Sequence, residues 1–387
     1  RKAGVHGFII AQLALCLMCI GSIVSAGRLR PSLIRNVIFM ALAVAFFPLS
    51  TYLIASVINA ATGPFVFFAL AAVLCVVFAA VAMQVSGGGV RGVLIVSTAT
   101  ALFIAADLAT GARGSMNSVF GYSPIIGGRY YGMGNETMAL FMAAAAVAGA
   151  LAAKRAGGGA RGLAVFGAVS VAAITVVGFP ALGANTGGTI AAASCFGYIF
   201  LRLTGRKVGP AEAAGLAALV VFFLALYIGY DYFSAADRQT HLGRAFGQIG
   251  EGGFRQVYLI AARKLEMNLS ILLRYLVYVI LMIALIVVNL YFIGPVRKVY
   301  ADAMRERPYF HLGVKGALAG GLVGFVVNDS GVVIPCLVVS YLAVCIICVC
   351  LEKVLEPGMR ARRRPVAASR DGIENIRDIE NIQDNEE

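Results

Sequence analysis

Apolar and polar residues alternate along the chain in long blocks rather than at short intervals. Each apolar block runs for about 17 residues or more, the length that a helix needs to cross the hydrocarbon core of a bilayer. A helix also gives every backbone N–H and C=O a partner within its own segment, as hydrocarbon requires. The blocks lie near residues 7–26, 37–58, 65–84, 92–109, 136–153, 162–180, 187–203, 211–230, 270–294, 312–328 and 331–351. The pattern predicts an all-α polytopic membrane protein with about 11 transmembrane helices.

The composition agrees with this fold class. Hydrophobic residues make up 60% of the 387 residues, charged residues make up 13%, and the mean hydropathy is +0.86. A soluble domain carries about 25% charged residues. The net charge of +13 does not indicate nucleic-acid binding, because the basic residues fall in short segments between apolar blocks. All eight cysteines lie inside apolar blocks, so we predict no disulfide framework, no metal site and no cofactor.

The distribution of arginine and lysine predicts which side of the membrane each loop faces. One set of alternate loops, together with the C-terminal tail, holds 21 of the 32 basic residues, whereas the other set and the N-terminus hold nine. The positive-inside rule places the richer set in the cytoplasm. An odd number of spans then puts the N-terminus outside and the C-terminus in the cytoplasm. The polar, non-repetitive loops are therefore predicted to face outward.

Two regions follow from these assignments. Residues 1–351 form a transmembrane domain that includes an extracytoplasmic loop at 231–268. From Phe254 onward, apolar residues in this loop recur at helical spacing, which predicts an amphipathic helix lying in the outer interface. Residues 352–387 form a cytoplasmic tail that is first basic and then acidic, with the composition of a disordered segment.

The segment 120–141 carries the first group of candidate binding residues, Arg129, Tyr130 and Asn135. The planar guanidinium of Arg129 suits a phosphate or a carboxylate. Asn135 stands at the start of the fifth apolar block, where we expect its side chain to cap the helix. The free N–H groups of that first turn favour an anion. The alternative is an ordinary outer loop with a capped helix and interfacial tyrosines.

Two further loops carry similar chemistry. In 181–189, Asn185 and Thr186 offer hydrogen bonds at the start of the seventh block. The alternative there is close helix packing through the neighbouring glycines. Between the last two blocks, Asn328 and Asp329 place an amide and an acid at the membrane edge, where ionisable residues are rare and usually functional.

The outer loop 231–268 is rich in cations. Arg244, Arg263 and Lys264 indicate a polyanionic partner such as a lipid phosphate or diphosphate, and Asn268 is placed to orient a headgroup. His241 is a candidate general base near neutral pH, although a lone histidine in a loop is often incidental. Glu136 is the other candidate base.

Three segments carry a resemblance to known proteins: GYSPIIGGRYYGMGNETMA, LGANTGGTIA and HLGRAFGQIGEGGFRQVYLIAARKLEMNL. In order and spacing they resemble the polytopic C-terminal half of a family of bacterial envelope proteins without an assigned activity. In that family the membrane half follows an N-terminal extracytoplasmic domain similar to alkaline phosphatases. The resemblance covers roughly residues 1–350. It implies a multi-pass protein of the bacterial plasma membrane, with a phosphatase-like ectodomain in the same or a partner chain. This sequence has no phosphatase metal motif, so no catalytic residue of that domain carries over.

A looser likeness concerns the stretch GGRYYGMGNETMALF. It is similar to the R-x-x-G-x-x-x-N stretch of O-antigen ligases and polymerases, which are membrane glycosyltransferases with a lipid-diphosphate donor. Arg129 and Gly132 match that pattern, whereas Asn135 comes early and no proline follows it. These departures leave a general analogy.

Three functions remain open from the sequence. The first is a module of cell-envelope biogenesis that binds or moves a phosphate-bearing lipid, such as a polyprenyl-phosphate-linked one, or a lipid-linked glycan at the outer face. The second is a glycosyl- or phosphoglycosyl-transferase in which His241 or Glu136 acts as the base. The third is a structural membrane anchor for a phosphatase-like ectodomain.

Overall fold

A computed structural model describes residues 17–25, 29–58, 64–121, 132–207, 209–232, 262–263, 266–273, 276 and 294–356. Every regular element in these residues is helical. The apolar blocks predicted at 7–26 and 270–294 lie largely outside the described residues. The amphipathic helix predicted from Phe254 and the tail beyond residue 356 lie outside them as well.

Twelve helices within the described residues have defined boundaries. They are α1 (Pro31–Ala45), α2 (Phe47–Ala55), α3 (Pro64–Ser86), α4 (Gly89–Ala109), α5 (Arg113–Asn117), α6 (Asn135–Arg155), α7 (Gly159–Gly178), α8 (Thr186–Leu203), α9 (Pro210–Tyr232), α10 (Gly294–Glu306), α11 (Pro308–Val327) and α12 (Val333–Leu355). Residues 17–24 and 266–273 are helical too. Helix α12 continues four residues past the predicted boundary at 351.

Eight candidate spans among the described residues confirm the multi-pass class. Helices α1 and α2 together form one of them, a 25-residue stretch from Pro31 to Ala55. The other seven are α3, α4, α6, α7, α9, α11 and α12. Helix α8 has 18 residues but is less apolar, because it has threonines and glycines in its first turn and Arg202 in its last. The count of about 11 spans and the orientation of the termini remain predictions.

Proline sets the start of several helices. Because its missing N–H is one that the first helical turn leaves unpaired, proline at that position costs little and its fixed φ favours the helix. Helices α1, α3, α9 and α11 each begin with one. Between α1 and α2 the helix breaks at Phe46, two residues before Pro48, because proline cannot donate to the preceding turn.

Helix α6 is the centre of the bundle. In its most apolar stretch 83% of the residues are buried, against 28% for α3 and 11% for α9. Its sequence is apolar on every side, with alanine at many positions, as expected for a helix that neighbours surround completely. The first two residues of α6, Asn135 and Glu136, are polar. The buried central helix therefore begins with two polar side chains.

Small residues on α11 bring it close to α8 and α6. A Cβ atom built on Gly320 would lie 2.7 Å from the Cβ of Cys195 on α8 and 2.8 Å from the sulfur of Met142 on α6. A Cβ atom on Gly313 would lie 3.1 Å from the backbone of α6 at Ala146, and one on Gly316 would overlap Ile199 on α8. In a membrane such contacts hold helices together through dispersion, since lipid already solvates apolar side chains.

Ion pairs join three helices at one end of the bundle, which we call the basic end. Arg307, between α10 and α11, lies 2.9 Å from a carboxylate oxygen of Glu352 and 3.2 Å from one of Glu356. Glu352 also accepts a hydrogen bond from the backbone N–H of Val90 in the first turn of α4, at 3.1 Å. The carboxylate thus compensates the positive end of that helix.

A lysine completes this cluster. Lys353 lies 2.7 Å from Glu306 and also pairs with Glu356. Partial burial alone would raise the pKa of Glu356, but hydrogen bonds from Lys353 and Arg307 lower it. The cluster is therefore a network of charges and not an isolated surface pair.

Candidate functional site

Four separate parts of the chain meet at the opposite end, which we call the polar end. They are the first turns of α6 and α8, the turn 328–332 between α11 and α12, and the short helical segment 266–273. Buried amide side chains connect them. We call the side chains of Asn135, Asn185, Asn268, Asn328, Asp329 and Ser330 the amide cluster.

Asn135 is the hub of the amide cluster. Its Nδ2 donates to Oδ1 of Asp329 at 2.6 Å and to Oγ of Ser330 at 2.8 Å. Its Oδ1 accepts from Nδ2 of Asn185 at 2.9 Å. The prediction that Asn135 caps its helix is wrong: Gly134 is the N-cap and Asn135 is the first helical residue. Instead of capping its own helix, the Asn135 amide bonds to the residue that caps α8 and to the turn 328–332.

Asn185 performs the capping role on the neighbouring helix. Its Oδ1 accepts from the N–H of Gly188 at 2.7 Å, which fixes the first turn of α8. Its Nδ2 donates to the carbonyl of Met133 at 3.1 Å as well as to Asn135. One side chain therefore caps α8 and ties it to the start of α6. Thr186, another predicted binding residue, is the first residue of α8.

The turn 328–332 closes over the start of α8. Asn328 is buried, with 4% of its surface exposed, and its amide lies directly against Gly187 in the first turn of α8. A Cβ atom at Gly187 would overlap this amide, so the glycine is needed for the close approach. The neighbouring Asp329 is exposed. Its carboxylate therefore reaches both solvent and Asn135.

Asn268 supports the same turn from the other side. It is 7% exposed, and its Nδ2 donates to the carbonyl of Phe325 in the last turn of α11 at 3.1 Å. Its Oδ1 lies close to Gly331, at 2.9 Å from the position of a Cβ on that residue. The residue was predicted to orient a headgroup, and it lies against the polar end.

Two buried amide atoms of the cluster have no hydrogen-bond partner among the described residues. They are Nδ2 of Asn328, a donor, and Oδ1 of Asn268, an acceptor. A buried polar atom left unpaired costs about 1–3 kcal/mol. Such atoms in a native fold call for a specific explanation, such as an ordered water or a ligand.

The backbone at the polar end is held in an unusual conformation. The N–H of Met133 donates to the carbonyl of Gly183 at 2.7 Å, which joins the loops before α6 and α8. Gly132 has φ +79°, a conformation that glycine adopts at little cost. Ala184 has φ +47°, and an alanine there is strained. Strain of this kind persists only where surrounding contacts impose it.

A second group of polar residues lies beside the first turn of α6. The hydroxyl of Tyr52 on α2 donates to Thr137 at 3.0 Å. Asp107 accepts from the N–H groups of Gly114 and Ser115, both at 2.7 Å, and so caps the short helix α5. This acid near the end of α4 therefore has a structural role.

The structure places the other candidate residues as follows. Glu136 lies in the first turn of α6 and is partly buried, a position where its charge complements the helix dipole. Arg263 is helical and exposed, five residues before Asn268. Arg129, Tyr130, His241, Arg244 and Lys264 lie outside the described residues.

The network also includes Ser330 and the carbonyl of Met133, which the sequence did not indicate as binding residues, and Gly187, one of the glycines for which close packing was the alternative. Ser330 follows Asp329 directly, so its position beside a candidate acid was an available signal. No sequence signal predicts that Asn328 packs against Gly187, because these residues are far apart in the chain.

The amide cluster offers hydrogen-bond donors and acceptors that could bind a polar ligand. Two helix N-termini with partial positive charge converge on amide donors and acceptors and on one exposed carboxylate. Groups that both donate and accept hydrogen bonds fit such a surface. No protein-family model matches the sequence, and no curated protein or solved structure is significantly similar to it.

Proposed function

We propose that this protein is an integral membrane module of cell-envelope biogenesis. It binds a phosphate-bearing lipid or a lipid-linked glycan at its polar end, on the outer face of the bacterial plasma membrane. It then either presents this lipid to an extracytoplasmic domain or moves it across the bilayer.

The observation that carries the proposal is the amide cluster at the N-termini of α6 and α8. A buried amide costs free energy unless it is paired. Here four asparagines from distant segments are buried together beside an exposed carboxylate, and two of their amide atoms have no partner in the described residues. Unpaired buried atoms of this kind favour a ligand-binding role over that of a plain anchor.

The position of the cluster fits a lipid headgroup. It lies at the ends of helices that are long enough to span a bilayer, hence at the depth of the headgroups. Helix α6 carries it at the centre of the bundle.

Basic residues that are close in sequence to the amide cluster would bind the phosphate group of the lipid. Arg129 precedes Asn135 by six residues, and Lys264 precedes Asn268 by four. Arg244 belongs to the loop that leads to Asn268. Charge-assisted bonds from these side chains would hold phosphate oxygens while the amides contact the rest of the headgroup.

Native mass spectrometry of the purified protein with its co-purifying lipids tests the proposal. The wild type is compared with the double variant Arg129→Ala/Arg244→Ala. The matched control is Arg202→Ala/Arg206→Ala, which removes the same charge from exposed residues at the basic end.

We expect a retained anionic lipid in the wild type and in the control, and its loss in the Arg129/Arg244 variant. The mass of the lipid identifies its headgroup class. If no specific lipid is found, or if all three proteins retain the same lipid equally, the proposal is refuted and the function of a structural anchor is favoured.

A further inference from the structure

The polar end contains a donor and an acceptor that the described part of the chain leaves unused. Nδ2 of Asn328 and Oδ1 of Asn268 are both buried and both without a hydrogen-bond partner there. They flank one turn: Asn328 is its first residue, and Asn268 packs against its fourth, Gly331.

Both side chains pack against other parts of the polar end. Asn328 lies on Gly187 in the first turn of α8, and the other amide atom of Asn268 donates to the carbonyl of Phe325. Each amide is therefore buried at a contact between segments and keeps one polar atom that no described residue pairs.

We propose that Asn328 and Asn268 form a subsite for the hydroxyl groups of a sugar, so that the bound lipid is a glycosylated one. This inference rests on the proposed function and narrows its ligand to a lipid-linked glycan.

The chemistry of the two atoms favours a hydroxyl over a phosphate. Hydroxyls both donate and accept hydrogen bonds, so a sugar can pair with the acceptor of Asn268 and with the donor of Asn328. A fully ionised phosphate oxygen can only accept, and Oδ1 of Asn268 would repel it. The exposed carboxylate of Asp329 beside Asn328 adds to that repulsion, yet it accepts readily from a second hydroxyl.

Access to the subsite requires a small movement. Both atoms are sealed from solvent in this conformation, so the turn 328–332 must shift for a sugar to reach them. The phosphate-binding cations proposed above are different residues from Asn328 and Asn268, so phosphate and sugar contacts are separable by mutation.

Binding measurements on the full chain in lipid nanodiscs test the inference. Three probes are used: a prenyl phosphate, the same prenyl phosphate carrying a hexose, and the free hexose. The test variant is Asn328→Leu, which keeps the shape of the side chain and removes its donor. The control is Asn36→Leu, the same change at an exposed position on α1.

We expect the wild type and the control to bind the glycosylated probe more tightly than the bare prenyl phosphate. One neutral hydrogen bond corresponds to about a three- to tenfold change in affinity. In Asn328→Leu this preference should fall to about twofold or less, with the affinity for bare prenyl phosphate unchanged. Asn268→Ala should reduce the preference in the same way.

Thermal unfolding without ligand separates recognition from a structural role. Because Nδ2 of Asn328 has no partner in the described residues, Asn328→Leu should leave the melting temperature equal or higher. A clear fall in the melting temperature, or a sugar preference that survives both substitutions, would overturn the inference and leave an ordered water as the partner of these atoms.

The remaining outcomes separate this inference from the proposed function. Equal binding of the bare and glycosylated probes by the wild type would refute the sugar subsite and leave the proposed phosphate-bearing lipid as the ligand. Binding of the free hexose alone, lost in Asn328→Leu, would support the sugar subsite and refute the proposal that the ligand is a lipid. Binding of no probe would refute both.

Discussion

Replacing Asn135 with alanine tests whether the amide cluster holds the polar end together. The substitution removes three hydrogen bonds that join α6 to α8 and to the turn 328–332. We expect the variant to fold less stably than the wild type.

The size of the effect follows from the partners that remain. A bond to a carboxylate contributes about 1.5–3 kcal/mol, but Asp329 is exposed and water can replace the lost donor, so about 1 kcal/mol is expected from it. The two neutral bonds contribute about 0.6 kcal/mol each, the average for polar contacts between membrane helices. Asn185 keeps its bond to Met133, which limits the penalty of leaving it unpaired. The expected loss is about 2 kcal/mol.

Reversible unfolding in mixed micelles measures this loss. Ser170→Ala on α7 is the matched control, because Ser170 is as buried as Asn135 but bonds only to Phe166 within its own helix. The control should change stability by less than about 0.5 kcal/mol. If Asn135→Ala were no more destabilising than Ser170→Ala, the network would not be a stabilising contact and our reasoning would be refuted. A double-mutant cycle with Asn185→Ala should give a coupling of about 0.6 kcal/mol.

Three other substitutions test the rest of the fold. Gly320→Ala should destabilise by about 1–3 kcal/mol because the added methyl meets α6 and α8, whereas Gly215→Ala, at a position with open space, should be neutral or stabilising, as unfolding midpoints would reveal. Arg307→Ala should lower the melting temperature. Since the pKa of Glu356 is lowered, the stability from its ion pairs is present above its ordinary pKa of about 4.3 and is lost as the pH falls through the lowered value. The Arg307→Ala penalty should thus shrink in acid, and a penalty independent of pH would contradict the ion-pair interpretation. Ala184→Gly should relieve a positive φ and raise stability by up to about 1 kcal/mol in thermal unfolding; a decrease would show that the conformation is not strained.

Sequence patterns placed the helices well and the hydrogen bonds poorly. The blocks predicted at 136–153 and 187–203 correspond to helices Asn135–Arg155 and Thr186–Leu203. The capping role expected of Asn135 belongs instead to Asn185 on the next helix. Both asparagines stand at the start of an apolar block after a glycine-containing loop, so local sequence did not distinguish them. The two asparagines differ in where each one lies relative to the other helices.

The sequence by itself determined the class of the protein and the polar segments worth examining. The reason is that hydrocarbon imposes a length and an apolar composition on any spanning helix, and both can be read locally along the chain. Only the tertiary structure decided which polar groups meet. Asn135 and Asp329 are 194 positions apart, and their contact depends on how α6, α11 and α12 pack, for which small residues such as Gly320 set the distance. Packing of this kind arises from many weak contacts across the bundle, so no local pattern encodes it.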